Sequence, residues 1–253
     1  MIKINRASCP NELTDELKNR LTEKYKLTGK DVWNEDCIKP FLKKTLSDMT
    51  NEKCSYCECK INIESNDATI DHIVPKSIDK NKVMDWDNLI ISCLRCNRQK
   101  NAFEEEILNP CIHNPKEHLY FVLSRYMIKG KNSSDLGIKT VETLDLNDLE
   151  RIRKKRFLIG EKVKDELLEL FEKINSRIVK GWNPLTSDIN ALMGIMEEAL
   201  PTSDYSATVA TVLLNDDSYN NILNLLKTQG KWNAALENLH KDVEQIKFSI
   251  TDD

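Results

Sequence analysis

The sequence contains no run of about 18 apolar residues, the minimum for a membrane-spanning helix, so no membrane role is expected. Its opening stretch, MIKINRASCPNEL, lacks the apolar centre of a signal peptide, and the expected compartment is the cytoplasm. An excess of positive charge is missing too: the formal net charge is −4, which by itself argues against a nucleic-acid binder. That average conceals an asymmetry. Residues 1–110 carry 18 Lys+Arg against 19 Asp+Glu, residues 116–164 carry 12 against 7, and residues 165–253 carry 7 against 15. A near-neutral first part is followed by a basic middle and an acidic last part. With 31% charged and 40% hydrophobic residues, the 253-residue chain has a globular composition and the length for one or two domains.

A reducing compartment disfavours disulfides, and the spacing of the eight cysteines points to metal ligation instead. Cys54/Cys57 and Cys93/Cys96 form two Cys-x-x-Cys pairs separated by 35 residues. The two intervening residues let the chain reverse around an ion, so each pair can present two thiolates to one metal. Four thiolates at this paired spacing suit a structural Zn²⁺, with a reduced packed cluster or an iron–sulfur site as the alternative. Cys59 adds a nearby sulfur, but four ligands are complete without it. Cys9, Cys37, Cys59 and Cys111 read as small, wholly or partly buried residues. Cys111, His113 and His118 lack a fourth ligand for a second site.

Periodicity outlines the elements. Leu13, Leu17 and Leu21 predict a helix that ends at Gly29. A second helix is expected over about Glu35 to Asp48, with Ile38, Phe41, Leu42 and Leu46 inward and Lys39, Lys43 and Lys44 outward, a solvated helix face by default with contact to a phosphate backbone as the alternative. Residues 68–74 read as a strand closed by Pro75; regular alternation sends Asp71 and His72 to opposite faces unless the backbone bends at the strand end. Lys76 to Asp85 reads as a surface loop, and the Asn88 amide is suited to pinning a loop from both sides. Ser92 is expected to cap a helix from about Leu94 to Ile107, with Cys93 and Cys96 on one side and Asn97, Lys100 and Asn101 on the next.

Beyond this stretch, residues 118–127 read as a strand-like segment and residues 130–137 as a loop. A long helix follows, capped by Asn147, with Gly160 as the expected site of a kink and Gly181 as its end. Helical patterns continue from Ile189 to Ile246, with fraying expected from Phe248. The cluster Arg151, Arg153, Lys154, Lys155, Arg156, Lys162 and Lys164 reads either as a phosphate-contacting surface or as a solvated helix face.

The motifs CSYC, DHIVPKS and DNLIISCLRCNRQK, in this order across about 48 residues, resemble those of the HNH endonuclease family. The resemblance implies a ββα-metal core in which His72 is the general base, Asp71 and Asn97 hold one divalent cation (Mg²⁺ or Mn²⁺), and Asn88 orients the loop and through it the histidine. Elementary chemistry agrees, because a phosphodiester anion resists neutral water and needs a base near the working pH and a cation against the developing charge. Lys76, Lys100, Arg151, Lys154 and Lys155 are the candidate nucleic-acid contacts.

The wider layout, including TVETLDLNDLERIRKKR, resembles the HNH component of Septu-type anti-phage systems, which implies a defence role and an ABC-type ATPase partner. The expected fold is mainly α (α+β), a helical protein with an embedded ββα-metal core stapled by a Cys₄ zinc site. Its expected segments are a helical lead-in (1–50), the nuclease core (51–110), a basic connecting region with a long helix (111–181) and an acidic helical region (182–253). DNA is the expected substrate. RNA cleavage, a stand-alone restriction-type nuclease, and a non-catalytic zinc module for nucleic acid or protein are the alternatives.

Overall fold

A computed structural model describes residues 1–35, 38–61 and 67–251; Cys37 lies outside them. Packing groups the chain into two compact units, Met1–His118 with Gly130–Leu146, and Leu119–Lys129 with Asn147–Asp253.

In the first unit, helix α1 (Asp15–Thr28) starts at Thr14, whose hydroxyl accepts the Leu17 N–H, and ends at Gly29 in the left-handed region. Helix α2 (Ile38–Asp48) buries Ile38, Leu42 and Leu46, and packs on the strands β1 (Ala68–His72) and β2 (Leu89–Cys93). These strands pair antiparallel, with Ala68 opposite Cys93 and His72 opposite Leu89. Helix α3 (Leu94–Lys100) follows β2 directly and completes a ββα unit. Its cap is Cys93 rather than Ser92, the Cys93 sulfur accepting the Cys96 N–H. It stops at Lys100 rather than near Ile107, because Asn101 takes φ +45° and turns the backbone out of the helix. A short turn of helix, α4 (Pro115–His118), follows. Residues expected to form a loop begin helix α5 (Asp135–Thr143), capped by Ser134.

The second unit carries the strands β3 (Leu119–Val122), β4 (Met127–Gly130) and β5 (Ser249–Thr251), in the order β4-β3-β5. The expected single segment over 118–127 is divided at Tyr126, which takes φ +53°. Fraying from Phe248 is not observed: Phe248 is buried, and β5 lies parallel to β3 with Phe121 opposite Ile250. The long helix opens with a π turn at Leu149–Arg153 capped by Asp148, then runs as α6 (Lys154–Val179). Asn147 does not cap it; its amide instead bonds both backbone groups of Ile128. α6 passes unbroken through Gly160, where the Tyr126 ring packs so closely that a Cβ would stand 2.3 Å from Tyr126 Cε1. α7 (Thr186–Glu197), α8 (Ser206–Leu214) and α9 (Asp217–Thr228) pack around α6, and α10 (Ala234–Ile246) packs on α7 and α8. The protein is therefore mainly helical, with the small ββα unit embedded in it. Among the described residues, no helix is long and apolar enough to cross a membrane.

Candidate active site

Four cysteines converge at the junction of the first Cys-x-x-Cys turn with the start of α3. The turn closes on itself, Cys54 N–H donating to the Cys59 carbonyl and Glu58 N–H to that of Cys54, while Ser55 N–H ties it to Ile91 on β2. The sulfurs of Cys54, Cys57, Cys93 and Cys96 all lie within 4.8 Å of one another, and three of the four residues are buried. Among the described residues this is the one cluster with metal-holding geometry, and its all-thiol donor set fits a soft or borderline ion. Hydrogen bonding from the Cys54 and Cys57 thiols holds the Cys93 thiol far below its ordinary range, while the neighbouring thiols raise Cys57 and Cys96. Cys59 Sγ is 3.3 Å from Cys57 Sγ but lies outside the foursome. His113 and His118 are instead taken up by the Asn109 N–H and the Ser134 hydroxyl.

Asp71 and His72 end β1, and both are buried, at 5% and 7% exposure. His72 Nε2 lies 2.9 Å from the Val83 carbonyl. A carbonyl only accepts, so Nε2 carries the proton and Nδ1 keeps a lone pair. Burial pushes the imidazole down to about 4, partly countered by the Val83 bond, so the ring is neutral at pH 7. The buried Trp33 ring lies against it at 5.4 Å between centroids.

Val83 is held in place by Asn88, which is 4% exposed. Asn88 Oδ1 accepts the Val74 N–H at 2.8 Å, and Nδ2 donates to the carbonyls of Val74 and Lys82 at 3.0 and 3.1 Å. The Asn88 carbonyl also accepts the Ile73 N–H. One side chain thus clamps both ends of the loop that carries the partner of His72.

The Asp71 carboxylate receives the Tyr56 hydroxyl at 2.6 Å and the Lys100 ammonium at 3.4 Å. Burial raises its pKa, while Lys100 and Tyr56 pull the other way. Lys100 also donates to the His72 carbonyl at 2.6 Å. Expected on a surface facing nucleic acid, Lys100 is in fact 2% exposed, its charge spent on holding the end of β1. Asn97 donates its amide to Thr69 Oγ1 at 3.0 Å, leaving its oxygen as a donor atom for a cation. Two clefts, of about 380 and 470 Å³, share Asp71, His72, Lys76 and Asn97 in their walls. The strand end therefore brings both side chains to one place, although a regular pleat would separate them. Asp71 and Asn97 offer hard oxygen ligands suited to Mg²⁺ or Mn²⁺.

In the second unit, Arg151, Lys154 and Lys155 are exposed. The rest of the expected basic cluster is committed elsewhere. Arg156 is 1% exposed, Lys162 pairs with Glu198 and Glu166, Lys164 pairs with Glu161, and Arg153 donates to the Arg125 carbonyl. Sequence reasoning missed Trp33, Tyr56 and Val83. Trp33 and Val83 lie outside the motifs and Tyr56 is a non-ligand position inside CSYC, and each acts through a contact that only the fold makes.

Comparison with known proteins bears on what the site does. A family model described as HNH endonuclease matches residues 54–103. The chain is 34% identical over 251 residues to the Septu protein PtuB of Bacillus thuringiensis, covering 97% of this chain and 94% of that one. It is also 32% identical over 153 residues to the Septu protein PtuB of Bacillus mycoides (strain KBAB4), covering 47% of this chain and 50% of that one.

Proposed function

Because the chain belongs to the PtuB family of HNH endonucleases and is a nuclease, we propose that it hydrolyses phosphodiester bonds of DNA with His72 as the general base. The observation that carries this reading is the state of His72. It is a neutral imidazole whose Nε2–H is held by the Val83 carbonyl, with its Nδ1 lone pair free, at a cleft shared with Asp71 and Asn97. Nδ1 takes a proton from the attacking water. Tyr56 and Lys100 fix Asp71, Thr69 fixes Asn97, and together these two residues would hold Mg²⁺ or Mn²⁺. When bound there, the cation supplies positive charge at the scissile phosphate. Cys54, Cys57, Cys93 and Cys96 would hold Zn²⁺ as a staple between the turn and α3. Exposed Arg151, Lys154 and Lys155 are offered as further nucleic-acid contacts.

Kinship with Septu proteins supports a role in anti-phage defence, with an ABC-type ATPase, PtuA, as the partner. Purified protein, alone and with such an ATPase, is to be assayed on DNA and RNA with Mg²⁺, Mn²⁺ or EDTA. Cleavage of DNA that needs the cation and falls by roughly 10²–10⁴ in His72→Ala is expected from the loss of a general base. Full cleavage by His72→Ala would overturn the assignment, and cleavage of RNA alone would overturn the substrate.

A further inference from the structure

The larger of the two clefts at His72 is bounded by Lys39 and Lys43 of α2 and by Lys76 of the loop after β1. Lys39 and Lys43 stand one helical turn apart, on the same face. All three lysines are half-buried, and none forms an ion pair among the described residues. Lys44, about 100° round α2 from Lys43, is exposed and paired with Asp48. Burial and the charge of Lys39 together hold the Lys43 ammonium below its ordinary range, so the helix keeps two repelling cations side by side.

Two acids border this cleft, and neither forms an ion pair with these lysines. Asp31 accepts the Trp33 N–H, and Asp71 is held by Tyr56 and Lys100. The solvated outer face expected of Lys39 and Lys43 is therefore not what the fold makes of them: it turns them into the wall of the cleft. Three lysines beside a phosphodiester site, with no ion pair of their own among the described residues, suit an anion that arrives with the substrate.

We infer that Lys39 and Lys43, with Lys76, form a phosphate subsite that grips the nucleic-acid strand at a phosphate flanking the one at His72. This rests on the nuclease reading of the His72 cleft. It goes beyond that reading, because α2 lies outside residues 54–103 of the HNH match. A polymer can occupy both places at once, whereas a single diester occupies one.

The test is binding without added Mg²⁺ or Mn²⁺ and without chelator, which needs no cleavage and leaves the cysteine cluster its metal. Fluorescence anisotropy with labelled single-stranded DNA, duplex DNA and RNA oligonucleotides is followed as salt is raised. In Lys39→Gln/Lys43→Gln, which keeps most of the side-chain stem, the slope of log affinity against log salt should shrink by about 1.4 on a single strand or about 1.8 on a duplex. Lys39→Arg/Lys43→Arg should keep the slope, and so should Lys44→Gln. Lys39→Gln alone should show about half of the loss, which preserves the test if the double variant fails to fold. An unchanged slope in a folded Gln variant overturns the subsite, as does a wild type that binds none of the three probes. Wild-type binding with the expected slope loss in the variant but no cleavage with any cation, alone or with the ATPase, would sink the nuclease reading and leave the subsite standing.

Discussion

His72 titrates from a buried position, and its folded value of about 4 lies below the unfolded value of about 6.5. The unfolded chain therefore takes up the proton first. Stability linked to His72 is whole above about pH 6.5 and is lost as pH falls towards 4. Calorimetry of wild type beside His72→Gln should show the wild type losing melting temperature relative to the variant over this range; parallel curves would contradict the burial argument. Asn88 offers a second test. Asn88→Ala removes three hydrogen bonds and orphans backbone groups of Val74 and Lys82, a cost of about 3 kcal/mol on urea unfolding, together with lower activity as Val83 loosens. The Asn88 amide was legible in the sequence, because pinning a nearby loop is a local property of its side chain. Lys100 and Arg156 were not: a charged residue on a helix reads as solvent-facing until the partners that bury it, Asp71 for one and Asn147 for the other, are placed by the tertiary fold.

At the scale of elements, α3 and its cap residue Cys93 supply two of the four sulfurs, and one of these caps the helix. Its cysteines are therefore more tightly constrained than Cys59. Cys96→Ser should lower bound metal, measured by elemental analysis, and destabilise the first unit. Cys59→Ser should retain metal at the wild-type stoichiometry, and loss of metal there would mean that the foursome is misassigned. On α6, Gly160→Ala drives a methyl into the Tyr126 ring and should cost about 1–3 kcal/mol. Gly194→Ala on α7 meets nothing within 4 Å and should stabilise by about 0.5–1 kcal/mol in the same denaturation assay. The apolar periodicity of α6 was readable from Ile152 to Ile178, yet its start was misplaced. Asn147 and Asp148 are both good caps, and only the pairing of Asn147 with Ile128 decides between them. Asn101 ended α3 early in the same way, since asparagine tolerates both helical and left-handed backbone and its neighbours choose.

For the whole molecule, the division into two units predicts separable stability. Stripping metal from the cysteine cluster should speed amide exchange in β1, β2 and α3 and leave α6 to α10 protected; uniform loss of protection, followed by mass spectrometry, would show one cooperative unit instead. The order in which the chain is made gives the β3–β5 pairing a further meaning. On the ribosome, Leu119–Val122 emerges early and then waits while all of α6 to α10 is synthesised, because its parallel neighbour Ser249–Thr251 follows them. Closure of such a distant pair is slow compared with helix formation. The residues that hold Asp71 and His72 are all present by Lys100, so the chemistry-bearing part of the chain is complete in sequence long before the second unit can be. A chain halted short of Ser249 would keep β4 beside β3 but leave the other edge of β3 unpaired, open to proteases and to other unpaired edges, so a nuclease cleft released without the rest of the protein would be short-lived.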